Sequence, residues 1–397
     1  MPGALFWLAG LLLANRLVGM QRVQVLLMLA VGGIGLSYAA WAGGEPALAS
    51  AFSNNQALLA MLAGVTFLRL ISLPEVDAGE PDPRGRGALW RTLLGVHLFG
   101  SAINLSAVMI LGDRQSRRAP MTPLQATVLS RGFALASHWS PFFAAMGIAL
   151  GNAPGADWKT LSLAGLPLAA FGLLYSGWRL GRRPEVATFV GYPTHFSALW
   201  VPALLAAFVM AAHQALPAVP ILTLISTGSV VLTALVLLLR QPATAGRRFV
   251  AHVTEGLPRM SGELVLFLAA GVLAAGISGL VTASGWRLDI PTFGATEASV
   301  VLLIMVGLSV LGVHPVISIA TSSGILAPLS PDPNLMGVTY LMTWAAGVSI
   351  SPFSGMHLAM QGRFNLNAFG FLRWNGGYNL VMLVVYVAWL HAFEIAG

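Results

Sequence analysis

Residues 137–142 read Ser-His-Trp-Ser-Pro-Phe and residues 349–353 read Ser-Ile-Ser-Pro-Phe, and each stretch stands in the middle of a long apolar segment. A proline inside a helix removes a backbone hydrogen bond and clashes with the preceding turn. Nonhelical backbone at membrane depth persists only where it is buried in protein or lines a water-filled cavity. Either motif alone is compatible with a kinked but continuous helix, whereas the pair predicts two broken helices at a binding site.

The composition places these motifs in a membrane protein. Of the 397 residues, 56% are hydrophobic and 9% are charged, and the mean hydropathy is +0.78. Soluble domains carry about 25% charged residues, and the apolar runs that recur along this chain are long enough for transmembrane helices. The absence of cysteine excludes a disulfide-stapled fold. We therefore predict an all-α polytopic membrane protein. Its excess of basic residues is explained by loops on the cytoplasmic side of the membrane, and no nucleic-acid partner is predicted.

The arginines set the predicted topology, because basic loops stay on the cytoplasmic side of a membrane. Arg114, Arg117 and Arg118 stay inside only if the apolar stretch 89–112 enters the membrane and returns as a re-entrant hairpin. The stretch 298–329 predicts a second hairpin, which enters from the outside. The result is about ten transmembrane helices plus two re-entrant hairpins in the cell inner (cytoplasmic) membrane, with the N- and C-termini both outside.

The two halves of the chain repeat. Gly100 aligns with Gly312 and Ser106 with Ser318 at one common offset, and the two Ser-Pro-Phe motifs align one residue short of it. Because the two hairpins enter from opposite sides, the repeats have inverted topology. The predicted organisation is N-terminal spans over 1–55, a first inverted repeat over 56–180 with hairpin 89–112 and broken helix 122–152, linking spans and a surface helix over 181–262, and a second inverted repeat over 263–397 with hairpin 298–329 and broken helix 335–361.

Inverted repeats that each contain a re-entrant hairpin followed by a broken helix resemble the ion transporter superfamily. That group includes divalent-anion/Na⁺ symporters, citrate transporters, arsenite-efflux proteins and the large membrane subunit of tripartite transporters. We predict the two hairpin tips near Asn104 and near Thr321–Ser323. Dicarboxylate members carry Ser-Asn-Thr at each tip, whereas this chain has Asn104-Leu105-Ser106 in one hairpin and Thr321-Ser322-Ser323 in the other. The resemblance implies an elevator-type mechanism and a homodimer.

The polar residues of the hairpins and breaks are the candidate ligands of solute and ion. Helix N-termini carry partial positive charge and suit anions, and freed carbonyls with hydroxyls suit Na⁺. Three of the candidates are histidines, each of which either touches solute, carries a proton or is simply hydrogen-bonded to backbone. The predicted substrate- and ion-binding residues are Ser101, Asn104, Ser106, Ser137, His138, Ser140, Pro141, His314, Ser318, Thr321, Ser322, Ser323, Ser349, Ser351, Pro352, Ser354 and His357.

These features predict a secondary active transporter for a small, anionic solute. No carboxylate stands in the middle of a predicted span, so coupling to Na⁺ is favoured over a carboxylate proton relay, with H⁺ as the other option. Arg131 either balances an anion in the cavity or snorkels to the inner surface. The alternatives are a cation/proton antiporter, a metalloid-oxyanion exporter, or a membrane-embedded enzyme acting on a lipid-linked substrate. No catalytic residue, structural metal or cofactor is predicted, and the partners are the solute, membrane lipids and a second copy of the chain.

Overall fold

The computed structural model describes residues 2–17, 19–43, 47–71, 81–193, 199–286 and 288–396. Throughout these ranges the regular structure is helical and no strand forms, which confirms the all-α class predicted from the sequence. By length and composition, six helical stretches can cross a membrane, and shorter apolar helices accompany them. The chain is therefore a multi-pass helical protein.

Eighteen α-helices follow one another along the described part of the chain. They are α1 (Pro2–Leu13), α2 (Gly19–Trp41), α3 (Leu48–Ser53), α4 (Gln56–Phe67), α5 (Gly85–Ile103), α6 (Leu105–Gln115), α7 (Pro123–Ala136), α8 (Ala144–Asn152), α9 (Trp158–Leu180), α10 (Trp200–Ala215), α11 (Ile221–Arg240), α12 (Pro242–Ala251), α13 (Ser261–Ser284), α14 (Ala295–Val310), α15 (Pro315–Leu326), α16 (Pro333–Ile350), α17 (Gly355–Phe364) and α18 (Gly370–Ala396).

The first hairpin consists of α5 and α6, which meet at Asn104. This residue has a φ of +51°, a conformation that L-residues rarely adopt and that reverses the chain here within one position. The other ends of the two helices lie side by side, because Arg114 Nε at the end of α6 contacts Asp82 Oδ1, just before α5, at 2.9 Å. The two arms therefore run antiparallel.

The second hairpin consists of α14 and α15, and its turn lies at 311–314. Gly312 has a φ of +104°, and Pro315 occupies the first position of α15, where a missing N–H costs nothing. The sequence prediction placed this tip near Thr321–Ser323, which is wrong, because these residues lie inside α15. A cluster of small polar residues was mistaken for the turn, while the glycine and proline that make the turn stand earlier.

The hairpins enter from opposite ends of the molecule. The arginine-rich end is marked by Arg114 and Arg363, which pair with Asp82 and Asp113 at the base of the first hairpin. The opposite end is marked by residues 152–157 and 330–334, where the backbone N–H of Asp157 donates to Asn334 Oδ1 at 2.8 Å. The second hairpin starts at this opposite end, since Ser323 Oγ near its base donates to the Asn152 carbonyl at 2.7 Å.

Two helix pairs make the broken spans, and a third broken span was not predicted. Residues 137–143 separate α7 from α8, and residues 351–354 separate α16 from α17. The third break lies at Asn54–Asn55, between α3 and α4, where Asn55 has a φ of +66° and its Nδ2 donates to the Phe267 carbonyl of α13 at 2.9 Å. The sequence prediction began this span at Gln56, whereas α3 begins it at Leu48.

The helices form two sets, which we call the frame (α1–α4 and α10–α13) and the core unit (α5–α9 and α14–α18). Polar contacts hold each set together: Ser226 Oγ donates to the Ala60 carbonyl within the frame at 2.7 Å, and Arg363 pairs with Asp113 within the core unit at 2.8 Å. Between residues that the structure describes, one hydrogen bond crosses from frame to core unit. It runs from Gln24 Nε2 to the Gly312 carbonyl and is 2.7 Å long.

Candidate functional site

A cavity of about 740 Å³ lies between the frame and the core unit and opens at the arginine-rich end. We call it the inner cavity. Arg16, Arg259 and Glu263 of the frame stand at its mouth. Its walls farther in are aromatic, with rings from both sets of helices: Phe133, Phe143, Phe267, Trp344 and Phe353.

Four short helices begin at this cavity. Its lining includes the first residues of α6 (Leu105), α8 (Ala144) and α17 (Gly355), together with His314, which immediately precedes α15. The first N–H groups of a helix have no partner within the helix, and the helix dipole adds partial positive charge at the same place. Each hairpin and each break thus directs one positive helix end at the same space, which favours an anion there.

The first hairpin tip is bonded directly to the first break. Asn104 lines the cavity, and its Nδ2 donates to the Phe142 carbonyl at 3.1 Å. Ser140 Oγ donates to the Ser101 carbonyl at 2.5 Å and accepts the N–H of Phe142 at 3.2 Å. The hydroxyl of Ser140 is therefore used to hold tip and break together, and Asn104 is the residue of this group that faces the cavity.

The second hairpin tip is bonded to the frame. His314 lines the cavity and caps α15, because its Nδ1 accepts the N–H of Val316 at 3.2 Å. Its ring packs edge-on against Trp344 with 5.6 Å between centroids. The carbonyl of Gly312 in the same turn accepts the bond from Gln24, so this tip depends on a residue outside the core unit.

His138 and His357 lie behind the breaks and do not line the inner cavity. The ring of His138 hydrogen-bonds through Nε2 to the hydroxyl of Tyr386 at 2.7 Å. The ring of His357 hydrogen-bonds through Nδ1 to the Ser351 carbonyl at 2.8 Å and through Nε2 to Ser130 Oγ at 2.9 Å. Both are fully buried, and both brace nonhelical backbone.

Arg131 belongs to the same bracing network. Its Nε donates to Asn375 Oδ1 at 2.9 Å, and its Nη2 donates to the Trp374 carbonyl at 2.8 Å. The guanidinium lies 4.4 Å from the ring centre of Tyr378. It therefore neither lines the inner cavity nor reaches the surface, because it is 4% exposed.

Asn375 connects this arginine to the second break. Its Nδ2 donates to the Ser349 carbonyl at 2.6 Å and lies 3.2 Å from Ser130 Oγ. Ser349 Oγ in turn donates to Asn379 Oδ1 at 2.9 Å. These polar groups of α18 thus bond the carbonyl and the hydroxyl of Ser349 at the end of α16, next to the second break.

The other predicted ligands are distributed around the tips and breaks. Ser354 caps α17 by accepting the N–H of His357 at 3.3 Å, and Ser323 lines a second cavity at the opposite end. The hydroxyls of Ser137, Ser318 and Ser322 donate to carbonyls of their own helices. The remaining positions are two prolines in the breaks and two half-buried residues in the hairpin arms, namely Pro141, Pro352, Ser106 and Thr321.

The sequence did not single out Gln24, Asn54 or the cavity aromatics. The break at Asn54 could have been predicted, because Ser53-Asn54-Asn55-Gln56 is a polar run between two apolar segments. Gln24 gives no such signal, since it stands near the start of a span among ordinary boundary residues. Its role depends on the position of the Gly312 turn, which lies far away in the sequence.

No family model matches this chain, and no curated protein sequence matches it. Among solved structures, the chain is similar to the YdaH transporter of Alcanivorax borkumensis, whose crystal structure is described as having an unusual topology. The two are 16% identical, the similarity covers 99% of this chain and 98% of that chain, and the TM-score is 0.50. These comparisons do not support the more specific resemblance to the ion transporter superfamily. The chain shares the fold of the YdaH transporter over almost its whole length.

Proposed function

We propose that this protein is a secondary active transporter for a small anionic solute. One observation carries the proposal: four half-helices from two inverted hairpins and two broken spans begin at one cavity. Such discontinuous helices mark the binding sites of secondary transporters. The fold shared with a transporter supports transport over the membrane-embedded enzyme that the sequence left open. The arginine-rich end lies in the cytoplasm by the positive-inside rule, so the inner cavity faces inward.

The division into frame and core unit supports an elevator-type motion. Both hairpins and both Ser-Pro-Phe breaks belong to the core unit, and α18 braces these two breaks, so the solute site can move as one body. The two sets approach closely at one point of their interface, where Gly324 of α15 packs against Ile277 and Ser278 of α13. Among the described residues, one hydrogen bond must break when the core unit moves relative to the frame. Deforming the core unit itself would break many more.

We propose Na⁺ as the coupling ion. The single carboxylate in the described lining of the inner cavity is Glu263, at the mouth, and not at a tip. Backbone carbonyls at the breaks and the Asn104 amide oxygen offer the hard oxygen ligands that such a cation prefers. If a proton replaces Na⁺, His314 is its carrier, because it lines the cavity while His138 and His357 do not. The homodimer stays a prediction.

A thermal-stability screen of the purified protein tests this proposal. The panel contains small carboxylates and inorganic oxyanions, each measured in NaCl and in choline chloride. A ligand at 100 times its dissociation constant stabilises a protein by about 2.7 kcal/mol, so we expect an anion to raise the melting temperature, more so with Na⁺.

The matched variants separate a cavity site from nonspecific binding. Asn104→Gly keeps the backbone conformation, because glycine tolerates a positive φ, and should abolish the stabilisation. Asn367→Ala, at an exposed loop position, should retain it. An anion effect that survives Asn104→Gly, or stabilisation by organic cations alone, contradicts the proposal.

A further inference from the structure

A second cavity, of about 560 Å³, lies at the opposite end of the molecule, again between frame and core unit. We infer that it is the outer vestibule of the same pathway and that the ring of Tyr340 forms its floor. This inference rests on the proposed function. It identifies the outer half of the solute pathway and the barrier that separates it from the inner cavity.

The two cavities share a wall on the core unit. Met336 and Tyr340 of α16 line the outer vestibule, and Trp344 and Val348 line the inner cavity. Residues four apart lie on the same face of a helix, one above the other. One continuous face of α16 therefore runs from the vestibule into the inner cavity.

The frame contributes a matching wall on α13. Glu263 and Phe267 line the inner cavity, and Ala274 and Ser278 line the vestibule. The cavities thus lie one behind the other along the same two helices. Two unrelated surface clefts would not be expected to use the same face of α16 and the same helix of the frame.

The barrier between the cavities is thin. Tyr340 and Trp344 are separated by about 6 Å of helical rise, and Phe267 and Ala274 by about 10 Å. Trp344 stacks on Phe267 of the frame with 6.3 Å between ring centres and 17° between planes. Tyr340 lies above this pair and is 1% exposed, so three aromatic rings separate the two spaces.

The vestibule floor is held by the second hairpin. The hydroxyls of Ser322 and Tyr340 approach to 3.5 Å, and Ser323 Oγ donates to the Asn152 carbonyl at 2.7 Å. These contacts join α15, α16 and the end of α8. The core unit therefore carries the floor with it when it moves relative to the frame.

The chemistry of the vestibule suits a hydrated solute. Its polar lining consists of hydroxyls and amides, with Ser50, Asn54 and Ser278 on the frame and Asn152, Ser323 and Ser330 on the core unit. No charged side chain is among the described residues that line it. Neutral donors allow an anion to pass without being held, whereas the helix N-termini at the inner cavity hold it.

Thiol labelling tests the arrangement, because the chain contains no cysteine. Ala274→Cys places a thiol in the vestibule, and Ala144→Cys places one deep in the inner cavity, at a helix N-terminus that favours the reactive thiolate. A membrane-impermeant maleimide is added to vesicles of either orientation. We expect the two thiols to react from opposite sides of the membrane. Ala270→Cys, which is buried on α13 and lines neither cavity, should react from neither.

Variants of Tyr340 test the floor. In the Ala144→Cys background, Tyr340→Ala removes the ring and should raise the rate of labelling from the vestibule side by at least about tenfold, or about 1.4 kcal/mol in access free energy. Tyr340→Phe keeps the ring and should leave the rate unchanged. Tyr340→Leu is the fallback if the alanine variant does not fold, with a smaller increase expected.

Two results overturn the inference. In one, the thiols at 274 and 144 react from the same side. In the other, a folded Tyr340→Ala or Tyr340→Leu protein labels from the vestibule side no faster than Tyr340→Phe. Both readouts use the maleimide alone, so they can fail while the anion screen succeeds, and the reverse. The proposed function and the vestibule are therefore tested separately.

Discussion

The two breaks share a local structure and differ in what holds the hairpin opposite them. In each Ser-Pro-Phe motif the serine hydroxyl accepts the N–H of the phenylalanine at 3.2 Å. The first tip is hydrogen-bonded to its break through Asn104 and Ser140. Among the described residues, no hydrogen bond joins the second tip to its break, and Gly312 is held by Gln24 of the frame instead. One half of the site is therefore assembled within the core unit, while the other half depends on the position of the frame.

The largest expected effect concerns the brace behind the second break. Asn375→Leu removes the partners of Arg131, Ser130 and the Ser349 carbonyl together. A hydrogen bond to a charged group is worth about 1.5–3 kcal/mol, and the Ser349 carbonyl and Ser130 lose a partner as well, so we expect a large loss of thermal stability in detergent. Tyr386→Phe at the first break removes one bond, to His138, and should cost about 1 kcal/mol. Equal losses in the two variants would contradict the view that the second break carries the heavier network.

An intermediate loss of unfolding free energy should distinguish Ser140 from Ser351, the two serines of the repeated Ser-Pro-Phe motif. Ser140→Ala loses one bond within the motif and one to the first tip, leaving the Ser101 carbonyl without this donor, and should cost about 2 kcal/mol of unfolding free energy. Ser351→Ala loses only the bond within the motif and should cost about 1 kcal/mol. Urea or thermal unfolding of both variants measures the difference. If Ser351→Ala is the more damaging of the two, the first tip is not fixed to its break in the way described.

The smallest effect concerns the bond that crosses between the sets. Gln24→Ala frees the Gly312 carbonyl without touching the first tip. In single-cysteine proteins, the labelling rate at Val313→Cys should rise about twofold to twelvefold, which corresponds to the roughly 0.5–1.5 kcal/mol of one hydrogen bond. The rate at Leu105→Cys, on the first tip, should not change. Gln21→Ala is the matched control, since Gln21 also lines the inner cavity. A rise at both tips would show general loosening and not a latch on the second hairpin.

The sequence predicted the elements whose signals are local. An asparagine in a polar cluster inside an apolar run marked the first tip, and prolines inside apolar segments marked both breaks. The second tip was misplaced because Thr321-Ser322-Ser323 has the polar composition of a tip. The actual turn at 311–314 is marked instead by Gly312, which adopts a positive φ, and by Pro315, which begins the next helix. The roles of His138 and His357 could not be predicted, because the partner of each lies far away in the sequence. His138 bonds to Tyr386 of α18, and His357 bonds to Ser130 of α7.

The bracing of both breaks by α18 has a consequence for how the protein is made. Translation delivers the first break long before Tyr386, and the second before Asn375, so neither break has its full set of hydrogen-bond partners when it leaves the ribosome. Short half-helices of 11 or 12 residues, such as α6 and α15, cannot span a bilayer alone, since spanning takes about 20 residues. We therefore expect Arg131 to stay without its partners Asn375 and Trp374 until α18 has been made. The order of biosynthesis thus makes both Ser-Pro-Phe breaks depend on a helix that is translated after them.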